Sequence, residues 1–151
     1  MDWRLLASDR RILCASPGYL ERHSAPANPS DLNRHPCLAY GREAEPSVWV
    51  FEKDQRRREI PITGPLRSNS GEVLRQATLD GLVLAVLPRW MVETDLARGT
   101  LMSCLDDHRV YPAGYSAEIY AVFPRDRLVP AKVLAFVNHL AERMDEMTSL
   151  S

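Results

Sequence analysis

One stretch of the sequence, residues 66–88, limits the possible fold more than any other. It opens with polar residues that start a helix and continues with apolar residues at helical spacing as far as Asp80-Gly81, where glycine can end a helix in the left-handed conformation. An unbroken apolar run, Leu82–Leu87, follows and stops at Pro88, which is typical of a strand buried on both faces. Helix, glycine and buried strand make the second half of a crossover unit, so the sequence predicts an α/β fold with parallel strands.

The rest of the chain alternates short strands with helices. The apolar patterns predict strands at 11–16, 37–40, 48–52, 59–64, 101–105 and 117–123, and helices at 17–23, 89–97 and 130–147. Polar stretches rich in proline, glycine, asparagine or serine predict loops at 24–36, with one turn of helix at 30–33, and at 106–114. The charged segment 53–58 indicates a hairpin whose arginines form a solvated tip.

Composition excludes several classes of protein. The 151 residues are 45% hydrophobic and 26% charged, which is ordinary for a globular domain. The formal net charge of −1 argues against a chain that binds nucleic acid through its overall charge. No apolar run approaches the ~20 residues that span a bilayer, and the N-terminal segment lacks a signal-peptide core. We therefore expect a cytoplasmic protein with no membrane partner.

The cysteines and acidic residues give little support for an enzyme. Cys14, Cys37 and Cys104 each lie in an apolar stretch without the paired spacing of zinc ligands, which predicts buried free thiols in a reducing compartment. The sequence lacks nucleophile-elbow, phosphate-loop and dinucleotide motifs. Asp106-Asp107-His108 lies in a predicted loop and is interpreted as surface charge. The sequence thus predicts no catalytic residue, no metal site and no cofactor.

A binding site has one physical basis in the sequence, the turn Ser68-Asn69-Ser70-Gly71 at a predicted helix start. Free N–H groups and the aligned peptide dipoles of a helix start attract anions. From the residues alone a simple helix cap is the favoured interpretation, because every helix has such an end, and the Glu72 carboxylate could occupy the positive end. A second polar turn, Ser16-Pro17, closes a strand and could face the same cleft, because ligands of open α/β sheets bind at the carboxyl ends of strands.

An ordered set of short motifs resembles a known family. The set begins with Arg-Arg-Ile-Leu-Cys-Ala-Ser-Pro-Gly-Tyr-Leu at 10–20, then Asp31-Leu32 with His-Pro-Cys-Leu at 35–38 and Trp-Val-Phe at 49–51. It continues with Gly-Pro-Leu-Arg-Ser-Asn-Ser-Gly at 64–71, residues 81–88, Leu96, Gly99 and Leu101, and ends with Pro-Ala-Lys-Val at 130–133 and Phe136. In order and spacing, this set resembles the effector-binding domain of LysR-type transcriptional regulators over nearly the whole chain.

The resemblance implies a fold like that of type 2 periplasmic binding proteins, with two α/β lobes joined by crossing strands and a ligand between them. It implies a partial effector domain over 1–151. The second lobe would be complete over about 16–116, the crossing strands would be 11–15 and 117–123, and the helix at 130–147 would belong to a truncated first lobe. It also implies an effector site at Ser16, Pro17, Ser68, Asn69, Ser70 and Gly71, the turns that face the cleft in this family.

The family pattern is not matched in full. Its N-terminal winged helix-turn-helix and the first units of its first lobe have no counterpart here, so we expect DNA to be bound only through a domain absent from this chain. The resemblance implies the sensing of a small effector, with an anion favoured, to control transcription. The alternative is a periplasmic-binding-protein-like or oligomerisation module without a working effector site. The apolar stripe of the last helix predicts self-association as a homodimer or higher oligomer.

Overall fold

The structure is a computed structural model that describes residues 1–41, 47–115, 118–124 and 128–149. For residues 147–149 it describes the backbone only. The strands are β1 (Asp2–Ser8), β2 (Arg11–Ala15), β3 (Ala39–Tyr40), β4 (Ser47–Lys53), β5 (Arg56–Ile62), β6 (Arg67–Ser68), β7 (Ala85–Pro88), β8 (Met102–Ser103), β9 (Arg109–Pro112) and β10 (Glu118–Phe123). The helices are α1 (Pro17–His23), α2 (Gly71–Leu79), α3 (Arg89–Arg98) and α4 (Ala131–Ser149), with a 3-10 helix at Pro29–Arg34. The chain divides into two compact units, which we call unit 1 (Met1–Asp9 and Ser116–Ser151) and unit 2 (Arg10–Tyr115).

Parallel pairing organises the sheet of unit 2. β3 and β6 are parallel, and a parallel bridge between Cys37 and Leu84 links the start of β3 to the segment that enters β7. β2 runs antiparallel to β7 and β8. The pair β6-β3 and the three strands β7-β2-β8 are separate ladders, and the Cys37–Leu84 bridge places them side by side in the order β6-β3-β7-β2-β8. The parallel strands predicted from the crossover pattern are therefore present. Their carboxyl ends, at Tyr40, Ser68 and Pro88, define what we call the carboxyl edge, and the opposite side is the amino edge.

The antiparallel direction of β2 decides which residues reach each edge. Arg11, at the start of β2, pairs with Pro88 and so lies at the carboxyl edge. Ala15, at the end of β2, pairs with Met102 and leads into Ser16 at the amino edge. A strand that starts at one edge and ends at the other thus places its two flanking residues in different surroundings.

A second sheet consists of the predicted β4–β5 hairpin and β9. The hairpin lacks glycine at its tip, and Asp54 and Gln55 adopt positive φ angles of 51° and 63° instead, as a tight two-residue turn requires. β9 pairs with β4 along the whole of Arg109–Pro112. The prediction that 106–114 is only a loop was therefore wrong, because a distant partner makes part of it a strand.

The core fills both faces of the first sheet. In β2, Leu13 packs in a cluster that includes the second sheet, while Ile12 and Cys14 pack in a cluster with α2. This confirms a strand system that is buried on both faces, although Leu82, the first residue of the apolar run, is 59% exposed because it precedes β7. α2 and α3 lie where the sequence predicted helices.

The three thiols are free and buried, as predicted. Burial raises the pKa of Cys37 and of Cys14 to about 12 and that of Cys104 to about 11. A thiol whose pKa is raised so far carries almost no thiolate at neutral pH, and thiolate is the reactive form. These cysteines therefore act as small apolar core residues.

Unit 1 is a two-stranded antiparallel ribbon, β1 and β10, with α4 packed against β1. Val137 and Ala141 of α4 are buried, whereas Trp3 and its register partner Val122 remain mostly exposed. No sequence pattern predicted β1, and the family resemblance implied 11–15 as the first crossing strand. In the structure those residues pair wholly inside unit 2, and β1 is the partner of β10. Ala117, at the start of the second assigned crossing strand, lies outside the described residues.

Candidate functional site

The turn that joins β6 to α2 lies at the carboxyl edge, as the sequence analysis expected. The hydroxyl oxygen of Ser68 accepts a hydrogen bond from the Ser70 N–H at 3.0 Å, and the Gly41 N–H donates to the Ser68 carbonyl at 3.1 Å. Ser70 is the N-cap of α2 and its hydroxyl oxygen accepts from the Val73 N–H at 3.4 Å. Asn69, between the two serines, is exposed. The turn is held by its own hydrogen bonds and presents the asparagine side chain outward.

The first turn of α2 has backbone N–H groups that can donate hydrogen bonds to a ligand. Ser70 caps Val73, and in the described part of the chain no acceptor engages the N–H groups of Gly71 and Glu72, which a helix start leaves free for water or a ligand. Together with the positive end of the helix dipole, these groups favour an anion. The arrangement can therefore bind a carboxylate or similar group through backbone N–H groups and the Asn69 amide.

Glu72 was the residue expected to compete for this positive end. The structure shows its carboxylate accepting from the Arg75 guanidinium at 2.9 Å, one turn further along the helix. Arg75 also makes two hydrogen bonds, of 2.7 and 3.0 Å, to the buried carboxylate of Asp95 in α3. The paired Glu72 is thus drawn towards Arg75, and the helix start itself is left open.

Gly71 lies against α3. A Cβ on this residue would lie 2.5 Å from the terminal methyl carbon of Met91, which is the flexible end of a side chain and can move aside. The start of α2 therefore packs closely on α3, and a small side chain at position 71 would displace only the end of Met91.

Ser16 and Pro17 do not share this location with Asn69, because they follow the end of β2 and begin α1 at the amino edge of the sheet. Ser16 is 6% exposed, and its hydroxyl oxygen accepts from the Tyr19 N–H at 3.2 Å as the N-cap of α1. It lies against Gly81, just beyond the C-terminal end of α2, whereas Asn69 precedes the N-terminal end. Nine helical residues at 1.5 Å per residue separate the two ends by about 13 Å.

Three residues at the carboxyl edge were missed by the sequence analysis. The guanidinium carbon of Arg11 lies 5.6 Å from the centre of the Tyr115 ring, and the Tyr115 ring is 5.5 Å from that of Tyr40. Tyr40 is the register partner of Ser68. A signal was present in the sequence, since Tyr40 ends a predicted strand, but the direction of β2, which brings Arg11 to this edge, could not be read locally.

The acidic loop at 106–108 has surface ion pairs, as interpreted from the sequence. Asp107 pairs with Lys53 and with His108, and hydrogen bonds from these two side chains, Lys53 first, hold the pKa of Asp107 below its usual range. Among the described residues, no group of three histidine, cysteine, aspartate or glutamate side chains is placed to hold a metal ion. No described helix is both long enough and apolar enough to cross a membrane.

The sequence matches one protein family over residues 1–145, the LysR substrate binding domain. Among curated proteins it is 35% identical over 144 residues to the HTH-type transcriptional regulator DmlR of Escherichia coli (strain K12), and 32% identical over 138 residues to the HTH-type transcriptional activator TtdR of the same strain. These matches cover 95% and 91% of this chain but 45% and 43% of the relatives, so the chain spans less than half of their length.

Solved structures agree with the sequence relatives. The regulatory domain of CrgA, a LysR-type transcriptional regulator from Neisseria meningitidis, is 26% identical with a TM-score of 0.77, over 95% of this chain and 69% of that one. The regulatory domain of AphB from Vibrio vulnificus is 25% identical with a TM-score of 0.75, over 94% and 68%. The predicted periplasmic-binding-protein-like α/β fold is confirmed, and the relatives are transcriptional regulators, not enzymes. The chain therefore belongs to the LysR substrate binding domain family, the effector-binding regulatory domain of LysR-type transcriptional regulators.

Proposed function

We propose that this chain senses a small carboxylate at the carboxyl edge of unit 2, and that occupancy controls transcription by an intact, DNA-bound regulator. The observation that carries the proposal is the β6–α2 turn, in which Ser68 and Ser70 fix the backbone, Asn69 is exposed and Glu72 is paired away from the helix start. The effector would lie in the interlobe cleft of an intact effector domain.

Control of transcription requires that the ligand distinguish two arrangements of the regulator. A ligand that binds one arrangement better than the other shifts the population towards it by the difference in binding free energy. DNA contact through a helix-turn-helix domain outside this chain, and action in the cytoplasm, belong to the same proposal. Membership of the family and the likeness to regulatory domains of other regulators support it.

The test is isothermal titration of the 151-residue chain with small mono- and dicarboxylates. We expect at least one to bind, and Asn69→Ala to weaken that binding about tenfold, because a hydrogen bond to a charged group contributes about 1.5 kcal/mol. Asn33→Ala is the matched control, an exposed asparagine in the 3-10 helix. Failure of every carboxylate to bind, or equal weakening by Asn33→Ala, would overturn the proposal.

A second candidate function, assembly without a working effector site, is favoured by the exposed apolar side chains of unit 1. Trp3 and Val122 are register partners that remain 68% and 56% exposed, and Phe136 of α4 is 60% exposed. Exposed apolar surface favours association by ~25 cal/mol per Å² buried. Light scattering at micromolar concentration should detect an oligomer that Trp3→Glu disrupts and Trp90→Glu, at an exposed tryptophan of unit 2, does not. A monodisperse monomer would exclude this function.

A further inference from the structure

We propose that Arg11, Tyr40 and Tyr115, which we call the ring cluster, determine the chemical class of the effector and select a carboxylate with a planar, unsaturated or aromatic body. The inference rests on the proposed function, because it concerns the same edge of unit 2. It goes further by assigning specificity to residues outside the β6–α2 turn.

The ring cluster is a continuous row of side chains. The Arg11 guanidinium lies over the Tyr115 ring at 5.6 Å, within the range of a cation–π contact. Tyr115 meets Tyr40 at 5.5 Å with an angle of 81° between the ring planes, an edge-to-face arrangement. The row thus extends from the first residue of β2 to the last residue of β3.

The row ends beside the β6–α2 turn. Tyr40 and Ser68 are register partners in neighbouring parallel strands, which lie about 4.8 Å apart. The next residue, Gly41, donates its N–H to the Ser68 carbonyl at 3.1 Å. A ligand whose anionic group reaches the start of α2 would therefore extend its body over the tyrosine rings.

The chemistry of the ring cluster suits such a ligand. Tyr40 and Tyr115 are 39% and 42% exposed, so a large aromatic area faces solvent at the edge where a ligand would arrive. Two rings near a right angle offer one face and one edge, and both geometries attract a flat π-system beyond simple area burial. The Arg11 guanidinium over the Tyr115 ring adds positive charge beside the two rings, and its sign favours an anionic ligand.

The tyrosines also avoid a charge conflict with an anion. Burial, and then the hydrogen bond with Tyr40, raise the pKa of Tyr115 above its usual range, so its phenol stays neutral near pH 7. Only Arg11 in the ring cluster then carries charge, and its sign matches a carboxylate. The ring cluster therefore combines a cation with neutral aromatic surface.

The test compares benzoate with cyclohexanecarboxylate, two acids of equal charge and similar ring size that differ in planarity. By isothermal titration, the wild-type chain should bind benzoate at least threefold more tightly, in line with the extra attraction of aromatic pairs. Tyr40→Leu and Tyr115→Leu should bring this ratio close to one, while Arg11→Gln should weaken both acids equally and only about twofold, because it removes a positive charge that lies at the far end of the row from the carboxylate. Tyr120→Leu, at a half-exposed tyrosine of unit 1, is the matched control and should leave the ratio unchanged.

The outcomes separate this inference from the proposed function. If the wild-type ratio is one, or if it survives Tyr40→Leu, the inference is wrong even where Asn69→Ala still weakens both acids. If no carboxylate binds, both proposals fail. A ring cluster that only braces the fold would lower the unfolding temperature in its variants without changing the ratio, which also overturns the inference. Tyr40→Leu decides the matter alone if Tyr115→Leu fails to fold.

Discussion

The two edges of the unit 2 sheet each carry a helix capped by a serine, but only one edge is open. At the amino edge, Ser16 begins α1, is 6% exposed and lies against Gly81. At the carboxyl edge, Ser70 begins α2, and the neighbouring Asn69 is exposed. Both serines accept a hydrogen bond from the N–H three residues ahead.

The difference arises from strand direction. α2 follows a strand of the parallel set, so its start lies where parallel strands end, the position at which open α/β sheets bind ligands. α1 follows β2, which is antiparallel to β7, so its start lies at the opposite side and is covered by the end of α2. A helix cap is thus a packing device at one edge and a candidate ligand site at the other.

The largest loss of stability that we expect is from a substitution at Gly64, at the amino edge. A Cβ there would lie 1.6 Å from the Cys37 carbonyl oxygen, a backbone atom that cannot move without disturbing β3. We expect Gly64→Ala to lower the free energy of unfolding by at least ~3 kcal/mol, the upper end for overpacking. Chemical denaturation measures this, with Gly18→Ala in α1 as the control, since its Cβ would meet only Arg22 at 3.6 Å. Similar losses of unfolding free energy in both variants would show that the contact of Gly64 with the Cys37 carbonyl does not limit substitution there.

The next effect distinguishes the two caps directly. Ser16→Ala leaves the buried N–H of Tyr19 without its acceptor and should destabilise the chain by about 1–2 kcal/mol. Ser70→Ala should cost about half as much, because its cap bond is longer and solvent can replace it. Denaturant midpoints at equal slope give both values. A larger loss for Ser70→Ala would show that the open edge is the one on which stability depends.

A smaller effect concerns pH. The buried hydroxyl of Tyr19 lies 2.7 Å from Nδ1 of His35, and burial first, then the nearby His23, lower the pKa of His35. The folded state therefore favours neutral His35. Its contribution to the free energy of unfolding is complete above about pH 6.5 and is lost as the pH falls below that value. Unfolding free energies between pH 5 and 8 should show this decline, and His35→Gln should reduce it. An unchanged slope in His35→Gln would assign the decline to other groups.

The smallest stability effect should be at the open edge itself. Asn69 is exposed, and its side chain enters no hydrogen bond among those described, so Asn69→Ala should change the free energy of unfolding by less than ~0.5 kcal/mol. Thermal and chemical unfolding of this variant measure it. A loss above 1 kcal/mol would indicate a structural role for Asn69 and weaken its assignment to ligand binding.

Local signals in the sequence were sufficient for the elements but not for their directions. The polar start of α2 at 69–70, Gly81 in the left-handed conformation and the buried run before Pro88 are short-range features, and each was predicted. The β4–β5 hairpin was found without a tip glycine because its alternating strands were clear on both sides.

Features that depend on distant partners were missed. β1 and β9 become strands only through β10 and β4, more than 50 residues away in each case, and neither has a clear alternation of its own. The location of Ser16 depends on the antiparallel pairing of β2 with β7, which no local pattern specifies. The same pairing brings Arg11 to the carboxyl edge, so one strand direction that no local pattern specifies explains both why Ser16 lies away from Asn69 and why Arg11 was not expected at this edge.

A nitrogen–proton NMR titration of the 151-residue chain with benzoate compares the two edges in one measurement. We predict that the backbone amide signals of Ser70, Gly71 and Glu72 shift in a saturable manner, while those of Gly18 and Tyr19, in the first turn of α1, stay in place. Shifts confined to the first turn of α1, or no saturable shift at either helix start, would contradict a ligand site at the carboxyl edge.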